Sequence, residues 1–285
     1  MGDLIVLQSL WAMERRHTDG FERSLDQNIA MILEAGFGGV SGPCTDRADV
    51  GRLSGLVRAH GLAIEGQCFP QTVDDLKSVL EIAAEFGVRH INLQPDVRPR
   101  RLEACFPLLE GWQRLGEEAG IPVYIETHRD RMTTDLYFTL DLLDRYPDLR
   151  LIADLSHVLV GREFAWPVSD ENHALVHRLL DATWAFHGRV ASREQVQIEL
   201  SFPHHRPWVD LFMQWWEYGF ESFRRRAGSD ALCFTCELGP KPYAITGPDG
   251  NDTTDRWAES LMMKRLIEDL YARVDGGPAR ATQPG

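Results

Sequence analysis

No stretch of this chain supplies the run of about 18 or more apolar residues that a membrane-spanning helix requires. The opening segment, Met1-Gly2-Asp3-Leu4-Ile5-Val6-Leu7, has no basic residues ahead of its short apolar stretch, so no secretory leader is expected. The expectation is a soluble, cytoplasmic protein with no membrane partner. Positive charge is also in short supply: 30 Lys and Arg stand against 43 Asp and Glu, a formal net charge of -13. Proteins that follow a nucleic-acid backbone present cations to its phosphates, so nucleic acid is not an expected partner. Cysteine is sparse and odd in number: Cys44, Cys68, Cys105, Cys233 and Cys236 make five. Without a leader, that count argues against a disulfide framework. Cys233-Phe-Thr-Cys236 has redox or zinc spacing but no second pair to complete a tetrahedral site, and it is read as part of a strand.

What is present is alternation. Short β-rich runs exchange with amphipathic stretches from end to end, the pattern of repeated βα units around a parallel sheet. Strands are predicted at Leu4-Leu7, Gly39-Ser41, Ala63-Gln67, His90-Gln94, Val123-Glu126, Leu151-Asp154, Thr183-His187 and Leu232-Glu237. Ala35-Gly36, His60-Gly61, Phe86-Gly87 and Ala119-Gly120 repeat one device, a glycine that closes a helix before the next strand. Eight such units close into a barrel more readily than into an open sheet of that width, so the predicted fold is α/β, a single (β/α)8 TIM barrel over residues 1–275. The segment 188–231 is too long for a simple connection and is expected to form a wall or lid at the mouth, while the Gly- and Pro-rich 276–285 reads as a disordered tail. Trp215-Trp216 and Phe220 to Phe223 have helical spacing and suit core or subunit packing, the only hint of a homo-oligomer.

The strand ends carry the chemistry. The fifth ends in Glu126-Thr127-His128, the sixth in Asp154-Leu155-Ser156-His157, the seventh in His187 and the eighth in Glu237. An ionised carboxylate after an apolar strand is costly unless a cation or hydrogen bonds offset it. A lone strand-end Asp or His is more often structural, but four successive strands agree here. Three carboxylates with one imidazole make a hard, oxygen-rich site that suits one divalent ion, Mn first, with Mg or Co as alternatives. Gln94, Gln67 and Trp11, at other strand ends, could line the pocket, the glutamines toward hydroxyls and Trp11 against the apolar face of a sugar. His128, two residues after Glu126, faces the same side if the strand persists; otherwise it lies in solvent. His204 and His205 are left outside the site as solvated loop residues.

These residues resemble the metal-site pattern of the xylose-isomerase-like superfamily, and in particular the ketose 3-epimerases. The resemblance spans the whole barrel and implies metal ligation by Glu126, Asp154, His187 and Glu237. It further implies substrate contacts from His157 of the D-x-x-H pair and from Arg193, six residues after His187, with Arg189 as a competitor. The activity implied is isomerisation or epimerisation of a keto sugar or polyol through an enediolate, with Glu126 and Glu237 as acid and base on opposite faces of the substrate. No phosphate cradle follows strands seven and eight, which favours a non-phosphorylated carbohydrate. A lyase of the inosose, dehydroshikimate or keto-glycoside type would share the first proton abstraction and is the alternative. An endonuclease IV-like role is disfavoured because that family places histidines where Gln67 and Gln94 stand, and a binding-only barrel because all four ligand positions are filled.

Overall fold

The computed structural model describes residues 2–15 and 21–276. Eight parallel strands close on themselves in chain order: β1 (Leu4–Ser9), β2 (Gly39–Pro43), β3 (Ala63–Cys68), β4 (His90–Leu93), β5 (Val123–Glu126), β6 (Leu151–Asp154), β7 (Thr183–Gly188) and β8 (Leu232–Cys236). Closure is made by β1 and β8, with Leu4 opposite Leu232 and Gln8 opposite Cys236. Each strand overlaps the position read from the sequence.

Helices α1 (Leu25–Glu34), α2 (Arg47–Val57), α3 (Asp75–Phe86), α4 (Phe106–Ala119) and α5 (Leu136–Arg145) follow the first five strands. Their starts are set by local chemistry. Ser24 and Gln27 form a reciprocal capping box on α1, and Asp46 and Asp135 accept from the first-turn amides of α2 and α5. Gly36, Gly61, Gly87 and Gly120 all adopt φ between 66° and 70°, the left-handed conformation expected where the chain leaves a helix for the next strand. Two helices follow β6, namely α6 (Leu155–Arg162) and α7 (Asp170–Leu180); α8 (Arg206–Ala227) and α9 (Arg256–Gly276) follow β7 and β8. No helix among the described residues is long and apolar enough to cross a membrane.

The segment 188–231 is therefore divided. Half of it is the regular helix α8, which packs on α7 and α9 as a barrel helix, and the stretch before the helix lies at the mouth. Trp215, Trp216, Phe220 and Phe223 are buried within the chain's own core, where Phe220 meets Phe186 edge-on at 5.2 Å and Trp216 meets Phe234 at 5.1 Å. The aromatic helix thus gives no support to a homo-oligomer, because its apolar face is already covered. All five cysteines are buried and free, and burial pushes the Cys44 thiol up to about 11. Positions 277–285, read as a disordered tail, lie outside the described residues.

Inside the barrel, side chains alternate with a two-residue period and stack in layers. The lower interior is apolar, built from Leu7, Ile152, Ala185 and Cys233 with Ile5, Ala63 and Tyr124 beside them. Above it the same alternation brings in Glu65, His90, Asn92, His187 and Thr235, all buried. The polar half of the interior faces the C-terminal mouth.

Trp216 is fully buried, and its indole N–H has no hydrogen-bond partner among the described residues. Trp216→Ala should lower unfolding stability by about 3–5 kcal/mol, as cavity-forming aromatic truncations do. Trp216→Phe, which removes that unpaired N–H and less volume, should cost clearly less, and urea unfolding followed by circular dichroism measures both.

Candidate metal centre

His187, on β7, is the hub. Its Nδ1 lies 3.0 Å from Glu237 Oε2 and 3.5 Å from Glu126 Oε2, while its Nε2 lies 2.9 Å from Glu65 Oε1. Glu126, His187 and Glu237 each offer a ligand atom within 4.8 Å of the others, and all three are buried. The strands fix this arrangement: Glu126 ends β5, His187 precedes the last residue of β7, and Glu237 directly follows β8. Burial pushes the Glu126 carboxyl up to about 8, with the charges of Glu237 and Asp154 adding to the effect against the pull of His187. Burial acts the same way on Glu237, but His187 and Arg189 outweigh it and hold that carboxyl low. His187 is driven well above the usual imidazole range because Glu65, Glu237 and Glu126 overcome its burial.

Glu126 is held from one side. Asn92 and Gln94 both donate to Oε2, Gln94 at 2.8 Å, whereas Oε1 is buried with no partner among the described residues. A buried carboxylate oxygen with no donor among the described residues is compensated either by a proton, as the raised carboxyl allows, or by an added cation. Behind His187, Glu65 also lies 2.8 Å from His90 Nε2 and accepts from Thr235 Oγ1 at 3.3 Å. If Nε2 of His187 carries the proton toward Glu65, Nδ1 is left bare toward Glu126 and Glu237, the carboxylate–histidine arrangement that supports metal ligation. The three residues therefore fit a divalent ion.

Asp154 is differently engaged. It caps helix α6: its Oδ1 accepts from Ser156 N at 2.9 Å and Ser156 Oγ at 2.5 Å. Its Oδ2 accepts from Arg189 Nη1 at 2.9 Å. Both oxygens are occupied, so the structure does not group Asp154 with the other three.

Arg189 fills the space that was left open in the sequence between two competing arginines. It is 1% exposed and donates from Nη2 to Glu237 Oε2 at 2.9 Å and from Nε to the Glu237 carbonyl at 3.1 Å. Arg193 is turned outward with its side chain 44% exposed, near Glu163 and Glu194 at 3.9 and 3.6 Å. The reason is the strand period: Arg189 is two residues beyond His187 and so shares its inward face, and the irregular chain beyond does not keep that register.

His157, on the first turn of α6, is buried and lies against His128 with ring centroids 3.8 Å apart and ring planes tilted by 45°. Arg189 Nη1 lies 3.2 Å from His157 Nε2, and a guanidinium can only donate, so Nε2 accepts and the ring proton sits on Nδ1, which is buried without a partner. His128 Nδ1 lies 2.6 Å from the Arg129 carbonyl, which can only accept; the proton is on Nδ1 and Nε2 is a bare base. Burial keeps both imidazoles below the usual range, His157 well below it.

The remaining walls come from two loops. Trp11 meets Tyr243 edge-on at 5.2 Å, and the Arg189 guanidinium lies 4.8 Å from the Tyr243 ring and 5.8 Å from the Trp11 ring. Arg256 steadies the Trp11 turn by donating to the carbonyls of Ala12 and Glu14 at 2.6 and 2.7 Å. Gly239 is required beside Trp11, because a Cβ there would come within 2.2 Å of the indole ring. Gln197 clasps the Gly239 backbone in both directions, at 3.0 Å to its carbonyl and 2.8 Å from its amide. Gln67 donates to Ser41 Oγ at 3.0 Å and reaches Glu237 Oε1 at 3.4 Å. His204 is exposed, and His205 is buried with Nδ1 2.8 Å from the Glu199 carbonyl, away from the metal ring. Glu65, His90, Asn92, Tyr243 and Arg256 were not singled out from the sequence. The first three could have been found by stepping back two residues at a time from Gln67 and Gln94.

No family model and no curated protein matches this chain. Solved structures do match it. A xylose isomerase-like TIM barrel protein from Mycobacterium smegmatis, in complex with magnesium, is 14% identical with a TM-score of 0.62, covering 96% of this chain and 100% of its own. D-psicose 3-epimerase from Clostridium cellulolyticum H10, determined with D-tagatose, is 9% identical with a TM-score of 0.58, over 96% and 99% of the two chains. The probable 3-DHS dehydratase from Bacillus anthracis is 14% identical with a TM-score of 0.58, over 93% and 98%. Together with the closed eight-stranded barrel, these likenesses establish that the chain has the xylose-isomerase-like (β/α)8 fold.

Proposed function

We propose that the protein is a divalent-metal-dependent isomerase or epimerase of a small keto sugar or polyol. The observation that carries the proposal is the buried cluster of Glu126, His187 and Glu237, whose ligand atoms lie within 4.8 Å of one another, in which the second Glu126 oxygen, Oε1, has no hydrogen-bond partner among the described residues. Glu126, His187 and Glu237 would hold the ion, with manganese the first choice and magnesium the alternative, given the mostly oxygen donors. A bound ion would supply Lewis-acid polarisation of a carbonyl group. Glu126 is the better placed of the two glutamates to take a proton, because Glu237 is restrained by Arg189, His187 and Gln67. Glu237, held ionised by Arg189 and His187, would deliver a proton from another direction after first taking one from a substrate hydroxyl or solvent. The Nδ1–H of His157 and the Arg189 guanidinium offer donors to substrate oxygens, and Trp11 and Tyr243 offer an aromatic wall that suits the apolar face of a sugar.

A second reading has its own observation. His128 presents a bare Nε2, and its ring lies 3.8 Å from that of His157, whose Nδ1–H has no partner among the described residues, so the site holds a neutral base near a free hydrogen-bond donor. That arrangement suits elimination, in which His128 would take a proton and, as the imidazolium, give it to a departing hydroxyl that the His157 Nδ1–H holds by a hydrogen bond. The magnesium-bound, epimerase and dehydratase neighbours share this fold, and the fold alone does not choose between the outcomes.

Purified protein should carry or accept roughly one ion per chain and, with manganese added, exchange solvent deuterium into a responsive member of a panel of ketoses, inososes and keto-glycosides. Glu126→Gln should lower that exchange by about 10² or more. An isotopically exchanged isomer as the product supports the isomerase, whereas an unsaturated product identifies a lyase. His128→Asn provides a separate check by mass spectrometry of the products. In an isomerase it should leave exchange within about tenfold of the parent, and in a lyase it should fall by about 10² or more.

A further inference from the structure

Arg189 is held as a permanent part of the site. Its three nitrogens contact Asp154 Oδ2, His157 Nε2, Glu237 Oε2 and the Glu237 carbonyl at 2.9, 3.2, 2.9 and 3.1 Å, and its faces meet Tyr243 and Trp11. The guanidinium thus stands between two of the four residues whose pattern suggested a metal, Asp154 and Glu237. Glu237 Oε2 is shared, lying 3.0 Å from His187 Nδ1 and 2.9 Å from Arg189 Nη2. The oxygen nearest the candidate ligand nitrogen is therefore already paired with a cation.

We propose that Arg189 is a resident counter-cation that takes up the Asp154 side of the ring and opposes divalent-ion binding at Glu126, His187 and Glu237. The inference rests on the metal-dependent reading above and adds a sign to it. A fixed positive charge a few ångströms from an incoming divalent ion repels it, and the repulsion is strong where water is excluded. The guanidinium also withholds Asp154, whose remaining oxygen is committed to capping α6. The ring keeps enough positive charge to stay folded without an ion and binds the ion more weakly than four free ligands would.

Removal of the cation should then raise metal affinity, whereas a side chain that merely supported the ligands would lower affinity when removed. Isothermal titration of Mn2+ into the full chain, Arg189→Met and Arg189→Lys supplies the test, with thermal melts run with and without Mn2+. Arg189→Met should bind at least about tenfold more tightly than the parent. Arg189→Lys, which keeps the charge but cannot span both carboxylates in the same planar fork, should fall between them. Without the ion Arg189→Met should melt lower than the parent, and Mn2+ should raise its melting temperature by more than it raises the parent's. If Arg189→Met is too unstable to titrate without the ion, the Mn2+ dependence of its urea midpoint gives the same affinity through linkage. Equal or weaker binding by Arg189→Met, in a parent that binds Mn2+, overturns the inference and leaves the metal centre standing. Failure of all three chains to bind Mn2+ overturns the metal reading, and the inference with it.

Discussion

Charge balance inside the barrel is the constraint on which the rest depends. Glu65, Glu126, Asp154 and Glu237 are buried, and no water-facing surface relieves their mutual repulsion. The fold answers with cations placed by the same two-residue alternation that brings the carboxylates inward. His90 and His187 face Glu65, and Arg189 faces Asp154 and Glu237. Every group in this set except Glu126 Oε1 is given a partner from the chain or is close to one. The exception is what turns a buried ionic network into a candidate binding site, because an imbalance confined to one atom is an address for an added cation.

The network also accounts for the division of the barrel into two halves. Leu7, Ile152, Ala185 and Cys233 fill the lower interior as ordinary apolar packing, which stabilises the strands and needs no specific partner. The upper interior is specific throughout, since each polar residue there can be paired only with the neighbours that its strand register supplies. Asn92 reaches Glu126 across the β4–β5 pair, and Thr235 reaches Glu65 across the bore. Such a layer trades non-directional packing for fixed orientation, which is what proton transfer requires.

Strand positions and helix ends were legible because their causes are local. The alternation of apolar runs and the four glycines at left-handed turns depend on residues a few positions apart. The strand-end groups Glu126, Asp154, His187 and Glu237 were legible for the same reason. Their division of labour was not. Asp154 before Leu155-Ser156-His157 has the spacing of a helix cap as well as that of a ligand, and only the placement of Arg189 shows both oxygens committed. Arg189 and Arg193 could not be ranked by a resemblance counted from His187, although extending the strand period by one step would have chosen Arg189. Tyr243 sits in an irregular loop with no period to read. The aromatic run in α8 looked equally suited to a partner or to the core, and its contacts with Phe186 and Phe234 place it in the core.

The clasp between Gln197 and Gly239 has a mechanical meaning. It joins the chain after β7 to the chain after β8 through a reciprocal amide pair, and Thr253 Oγ1 and Glu199 add a second stitch at 3.0 Å while Glu259 accepts from the Leu200 amide at 2.6 Å. These links tie the chain after β7 both to the loop after β8 and to α9. Tyr243, four residues beyond Gly239, therefore shares its backbone support with the chain that carries Gln197, so the aromatic wall over the guanidinium is braced by the segments after two strands and not by one.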